Sequence, residues 1–208
     1  MSNGNKRINL FFGSNTFKGS FNSFNTIPNS SNLTEFSFIG RSNVGKSSII
    51  NAITKSNNLA KTSKTPGRTQ SINIFEINKS LNLVDLPGYG FAKISKSIRL
   101  NLEILIEEYM KNRTNLTHVF VLIDSKVGLK GLDIDMFDLL SESNKSFSVI
   151  FTKIDKCSKS HLDLLDKSIL SLMKSYSNLF VKTFFTSTKK LQGIIDVQKT
   201  IYQLSKQI

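Results

Sequence analysis

Residues Gly40-Arg41-Ser42-Asn43-Val44-Gly45-Lys46-Ser47 fill every fixed position of the phosphate-loop pattern. That pattern constrains the fold because it works only between a strand and a helix. Its glycines let the backbone wrap an anion closely, and successive N–H groups at a helix N-terminus then face the negative charge. The flanks agree: Glu35–Ile39 reads as a short apolar strand and Lys46–Lys55 as a helix. Lys46 is placed to reach the β- and γ-phosphates, and the Ser47 hydroxyl to ligate Mg²⁺.

The rest of the chain continues that alternation. Gln70–Ile77 and Leu81–Asp85 read as a strand pair around Asn78-Lys79-Ser80, and Ile98, Leu102, Leu105, Ile106 and Tyr109 recur at helical spacing. His118–Asp124 and Ser146–Thr152 are apolar runs of the buried-strand kind. Leu132–Ser141 and Leu162–Tyr176 read as helices, Leu179–Thr186 as the last strand, and Ile194, Val197, Ile201 and Leu204 mark a closing helix. The pattern predicts an α/β fold with a mostly parallel six-stranded sheet, one antiparallel edge strand and helices on both faces. Residues 1–33 are expected to form an irregular arm plus an edge strand packed on a nucleotide-binding domain of residues 34–208. Ligands of such sheets bind outside the carboxyl ends of the strands, and the remaining motifs fall there.

Thr65-Pro66-Gly67-Arg68-Thr69-Gln70-Ser71 has the position of a first switch loop, with Thr69 the candidate to close over Mg²⁺ and the γ-phosphate. Asp85-Leu86-Pro87-Gly88 ends an apolar strand. Asp85 can hold the metal, and the Gly88 N–H can sense the γ-phosphate, with Gly88-Tyr89-Gly90 as a hinge. Tyr89 stands where many small GTPases carry a water-orienting Gln, so slow intrinsic hydrolysis is expected. Thr152-Lys153-Ile154-Asp155 supplies a carboxylate that can accept from guanine N1–H and its amine. Adenine lacks those donors and would leave Asp155 unpaired. Backbone groups of Thr186-Ser187-Thr188 are candidates for the guanine O6. The candidate metal ligands are Ser47, Thr69 and Asp85, and the candidate catalytic groups are Lys46, Thr69 and Gly88. The ligands implied are GTP, GDP and Mg²⁺.

Charge adds a partner. The formal net charge is +13. From Met1 to Phe75 nine basic residues stand against one acid, Glu35. This excess suits a polyanion such as RNA, or a solvated surface. Phe residues at 11, 12, 17, 21 and 24 suit packing of the arm better than base stacking. There is no run of eighteen apolar residues, and the single Cys157 fits a reducing compartment.

With those residues in hand, the chain resembles the bacterial EngB family, also called YihA or YsxC, within the TRAFAC class of P-loop GTPases. The resemblance rests on residues 40–48, the string Lys61-Thr62-Ser63-Lys64 leading into Thr65–Gln70, residues 85–90 and Thr152–Asp155. It covers the chain from about Phe17 onward. The segment Phe185–Gly193 is one residue longer than that pattern. The resemblance implies a cytoplasmic GTPase needed for assembly of the large ribosomal subunit, with consequences for cell division and septation. Its implied partners are rRNA and ribosomal proteins, with no membrane, and it is expected to be a monomer. Asn43 resembles the Asn of potassium-activated GTPases, which adds K⁺ as a candidate cation. A nucleotide-dependent scaffold at the division site and an RNA-modification GTPase remain alternatives.

Overall fold

In a computed structural model, residues 3–28, 33–61, 70–90 and 94–206 are described. The chain runs α1 (Asn3–Gly13), β1 (Asn15–Phe21), β2 (Thr34–Gly40), α2 (Lys46–Thr54), β3 (Ile72–Ile77) and β4 (Leu81–Asp85). It continues through α3 (Lys96–Asn112), β5 (Leu116–Asp124), α4 (Gly131–Glu142), β6 (Phe147–Thr152), α5 (Lys159–Met173), β7 (Phe180–Phe185) and α6 (Ile194–Leu204).

Side chains that alternate along a strand point to opposite faces, and here each face meets its own set of helices. On β5, Val119, Val121 and Ile123 join one core layer with Leu105, Phe137 and Ile169 from α3, α4 and α5. Phe120 and Leu122 join the other, with Phe12, Ile50 and Val197 from α1, α2 and α6. Strands buried on both faces therefore read as continuous apolar runs, as residues 118–124 do.

The sheet has seven strands in the order β1-β3-β4-β2-β5-β6-β7, one more than the six expected. β2 pairs parallel with β4 and β5, and β5, β6 and β7 continue parallel. β3 runs antiparallel to both neighbours, β1 and β4. The reversed strand is thus covered, and β1 occupies the edge. The β3–β4 turn explains the reversal: Asn78 and Lys79 both have positive φ, 49° and 53°. The Ser80 N–H bonds the Ile77 carbonyl at 2.9 Å, which makes a type I′ turn whose twist matches a hairpin.

The N-terminal segment is not an irregular arm. Residues 3–13 are helical, because Ile8, Phe11 and Phe12 recur on one face and pack on α6. Phe12 is fully buried, and Phe11 meets Tyr202 edge-on at 5.1 Å. Phe21 and Phe24 also pack on a core layer, whereas Phe17 remains 51% exposed. At the opposite end of the sheet from the motifs, Glu35 is buried. It accepts from Arg113 at 2.7 and 2.9 Å and from the Tyr109 hydroxyl at 2.7 Å. Arg113 Nη2 also reaches the Pro28 carbonyl at 3.1 Å. Glu35 is therefore a fully partnered structural carboxylate that fastens residue 28 to β2.

Candidate functional site

The phosphate loop follows β2. A Cβ on Gly40 would come within 2.6 Å of the Leu122 carbonyl, so only glycine fits there. Asn43 and Gly45 adopt positive φ, 64° and 105°, which folds the loop back on itself. The Ile49 N–H bonds the Gly45 carbonyl at 3.0 Å and begins α2, whose N-terminus has no side-chain cap. Uncapped N–H groups of a nine-residue helix are suited to an anion.

Two charged side chains meet at this end. Lys46 Nζ forms an ion pair with Asp85 Oδ1, both nearly buried. The Leu86 N–H bonds the Phe38 carbonyl at 3.1 Å, which holds the turn after β4 beside the loop. Leu86, Pro87 and Gly88 are buried. Ser47 lies next to Lys46, half-buried. A carboxylate and a hydroxyl are hard oxygen donors. They fit Mg²⁺, which takes few protein ligands and completes its octahedron with phosphate and water. Among the described residues no three His, Cys, Asp or Glu side chains cluster for a metal.

The base-recognition motifs sit at the ends of β6 and β7. Thr152 Oγ1 donates to the Val44 carbonyl at 2.7 Å, so this Thr is a strut between β6 and the phosphate loop. Lys153, with φ 59°, extends its ammonium to the Asn43 carbonyl at 2.7 Å and to Asp124 Oδ2 at 2.8 Å. Its stem therefore lies across the loop. Ile154 is buried, and its N–H bonds the Thr186 carbonyl at 3.2 Å. The Thr186 N–H and Oγ1 both donate to the Phe151 carbonyl, at 2.7 and 3.0 Å. The Ser187 hydroxyl donates to Asp155 Oδ1 at 2.6 Å and holds that carboxyl below its usual range. The loop before Gly193 closes in a turn: Ser187 and Gln192 exchange two backbone bonds of 3.0 Å around Leu191, whose φ is 52°. Thr188, half-buried, follows on this loop.

Some expected residues are placed otherwise. The Arg41 side chain turns from the phosphate loop to α4, donating to Asp133 at 3.2 Å and to the Gly128 carbonyl at 2.7 Å. Ser42 contributes its N–H to the Tyr89 carbonyl at 3.2 Å. Ser71 pairs with Ser20 at 2.6 Å on the β1 side of the sheet, where a shared edge contact fixes it. Gln70 is exposed. Gly67, Arg68 and Thr69 lie outside the described residues. Asp124 and Asp133 were not singled out from the sequence. Asp124 was legible as a carboxylate ending an apolar strand. Asp133 shows only as an acid in the first turn of a helix, which is common.

A phosphate loop after β2, a buried carboxylate at the end of β4 and a carboxylate–lysine pair after β6 define a P-loop GTPase. A family model described as 50S ribosome-binding GTPase matches residues 35–153. A probable GTP-binding protein EngB of Cytophaga hutchinsonii is 44% identical over 174 residues, covering 84% of this chain and 87% of that protein. Its counterpart in Rickettsia africae is 46% identical over 182 residues, 88% of this chain and 84% of that protein. Among solved structures, a probable GTP-binding protein engB superposes with TM-score 0.64 at 22% identity, over 84% of this chain and all of that one. Era in complex with MgGDPNP and nucleotides 1506–1542 of 16S ribosomal RNA gives 0.63 at 18% identity, over 84% of this chain and 56% of that one. These two likenesses show the shared fold. The chain belongs to the EngB family of GTP-binding proteins and is a GTPase.

Proposed function

We propose that this GTPase is a cytoplasmic switch in assembly of the large ribosomal subunit, contacting rRNA and ribosomal proteins as a monomer, with division and septation affected downstream. The observation that carries the reading is the matched family's description as ribosome-binding, joined to a basic surface beside the site. Lys55 and Lys61 are exposed at the end of α2 and just beyond it. Lys64 and Arg68 follow in the sequence, outside the described residues, and the only acid of the first 75 residues, Glu35, is buried. The segment from Phe36 to Phe75 thus carries six basic residues and no acid in sequence. Among the described residues no helix is long and apolar enough to cross a membrane.

In this reading the backbone of Gly40–Ser47 wraps the phosphates. Lys46 exchanges the Asp85 carboxylate for β- and γ-phosphate oxygens. Ser47 and Asp85, with Thr69, would hold Mg²⁺, which would supply charge neutralisation at the phosphates. Gly88 donates its N–H to the γ-phosphate. Asp155 reads guanine, the Lys153 stem covers the base, and the backbone at Thr186–Thr188 faces O6. Gly67, Arg68, Gln70 and Ser71 border the first switch. Intrinsic hydrolysis is slow because no side-chain amide stands at position 89 to orient water.

The test is co-sedimentation with separated ribosomal subunits across a salt series, in GDP and in a non-hydrolysable GTP analogue. The large subunit is retained better with the analogue. Lysine contacts to phosphate release counterions, so binding falls steeply with salt. A Lys55→Ala, Lys61→Ala, Lys64→Ala triple variant binds more weakly and with a shallower salt slope. An unchanged slope removes the role of this surface, and equal binding in GDP and analogue removes the switch.

A further inference from the structure

The side chain of Tyr89 has no part in the nucleotide motifs, yet it is held on all sides. Its ring is buried, and its hydroxyl donates to Asp133 Oδ1 at 2.8 Å. Asp133 is fully buried in the first turn of α4. The same Oδ1 accepts from Arg41 Nε at 3.2 Å, and Oδ2 accepts the Lys130 N–H at 2.9 Å. A buried carboxylate with all these donors is stable in place, whereas one stripped of them is costly. Burial, then the charge of Asp133, raises the Tyr89 phenol well above its usual value, so it stays a donor throughout the working pH range.

The backbone of Tyr89 is also fixed. Its N–H bonds the Gly40 carbonyl and its carbonyl accepts the Ser42 N–H, both at 3.2 Å. Arg41 stands between those two residues and meets Tyr89 again at Asp133. Segments 41, 89 and 133 thus converge on one carboxylate. Gly88 is one residue from this anchor. Gly90, on the other side, has φ 72° and is exposed, and a Cβ there would come within 2.9 Å of Leu132 Cδ1.

We propose that Tyr89 and Arg41, clamped together on Asp133, are positioning residues that set the distance between the Gly88 N–H and the phosphate loop, and thereby the preference for GTP over GDP. The clamp leaves contacts to the α- and β-phosphates to the loop itself. On the reading given under Proposed function, Gly88 meets the γ-phosphate and neither of the other two. Loosening the clamp therefore weakens GTP selectively. The inference rests on nucleotide binding alone and is independent of any ribosomal partner.

Tyr89→Phe tests it, because the ring and its packing remain and Asp133 keeps Arg41 and the Lys130 N–H. Affinities for GDP and for β,γ-imido GTP are measured by competition at fixed Mg²⁺. GDP affinity stays within about twofold, and imido-GTP affinity falls about five- to tenfold, the scale of one buried hydrogen bond. Asp133→Asn gives the same selective loss, and the double variant is no worse than Asp133→Asn alone, since both act through one clamp. A merely structural role lowers the melting temperature and weakens both nucleotides alike. Equal losses, unchanged affinities or additive effects in the double variant overturn the proposal. If Asp133→Asn does not fold, Tyr89→Phe decides alone.

Discussion

The Ser187 hydroxyl donates to the Asp155 carboxylate at 2.6 Å, so the loop after β7 orients the carboxylate that follows β6. The donation favours the ionised form and lowers the Asp155 pKa. Ser187→Ala removes it, along with the acceptor for the Lys190 N–H at 3.2 Å. Guanine-nucleotide affinity then falls by about fivefold at neutral pH, since the carboxylate is free to turn. The folded-state pKa is depressed, so the ionised form persists in the wild type at pH values where ordinary carboxylates begin to protonate. GDP affinity in Ser187→Ala consequently declines at a higher pH than in the wild type. Titrations of a fluorescent GDP between pH 7 and pH 4 check both statements. Coincident curves would show that the bond does nothing for the base.

Asp155→Asn changes which base is read. The variant amide donates as well as accepts, which suits the extra carbonyl of xanthine and conflicts with the guanine amine. GTP affinity falls by at least about a hundredfold and xanthosine triphosphate is preferred, in line with the cost of leaving polar partners unmatched. Wild-type protein with equal affinity for ATP and GTP would end this account of the carboxylate.

Lys46 and Ser47 separate binding from stability. Lys46 is buried against Asp85, so Lys46→Ala leaves an unpaired buried carboxylate as well as a weaker phosphate site. Both the melting temperature and nucleotide affinity fall. Ser47 is half-buried in the first turn of α2, and Ser47→Ala removes only a hydroxyl. Thermal stability stays unchanged while Mg²⁺-dependent GTP binding drops by about tenfold or more. A Ser47→Ala protein with normal Mg²⁺ dependence excludes the hydroxyl as a ligand.

Local motifs were legible from sequence because the chemistry they serve is local. A helix begins where the glycines of the phosphate loop end, and Asn78-Lys79 reads as a turn because only a few residue types tolerate positive φ. Helix α1 was missed for a physical reason. Its Asn and Gly residues are poor helix formers, and it is held by Phe12 packing on a helix that comes some 180 residues later. The Arg41–Asp133 pair spans 92 residues, and neither partner carries a local pattern that names the other. An edge strand within residues 1–33 was expected, and β1 fills that place, but its pairing with β3 rather than another strand is not specified by alternation along the chain.

Asn43 carries the expectation about monovalent cations. It is exposed in the phosphate loop with φ 64°, and its carbonyl is taken by Lys153. The side-chain amide is the group through which it resembles the potassium-activated GTPases. With no amide at position 89, a cation beside the phosphates would supply charge during hydrolysis. Turnover is therefore faster in K⁺ than in Na⁺ at equal ionic strength, and Asn43→Ala removes the difference. Identical wild-type rates in the two salts rule this out.

His118 makes stability depend on pH far from the nucleotide. The ring is buried in β5, with Nδ1 3.0 Å from Ser146 Oγ and Nε2 2.9 Å from Ser148 Oγ. Phe120 lies edge-on at 4.8 Å. Burial disfavours the imidazolium and lowers the pKa from 6.5 to about 3. The unfolded chain takes up a proton below pH 6.5, whereas the folded chain does not until about pH 3. Stability from the neutral ring is thus complete above pH 6.5 and is lost as pH falls through that window. Between pH 6.5 and pH 5 the loss is on the order of 2 kcal/mol. Carboxylates remain largely ionised in this interval, and His161 is common to both proteins, so His118→Asn isolates the effect. The variant is less stable at pH 7.5, where it packs less well, but its urea midpoint changes less than that of the wild type between pH 6.5 and pH 5. Parallel pH profiles for the two proteins would show that His118 takes up its proton in the folded state.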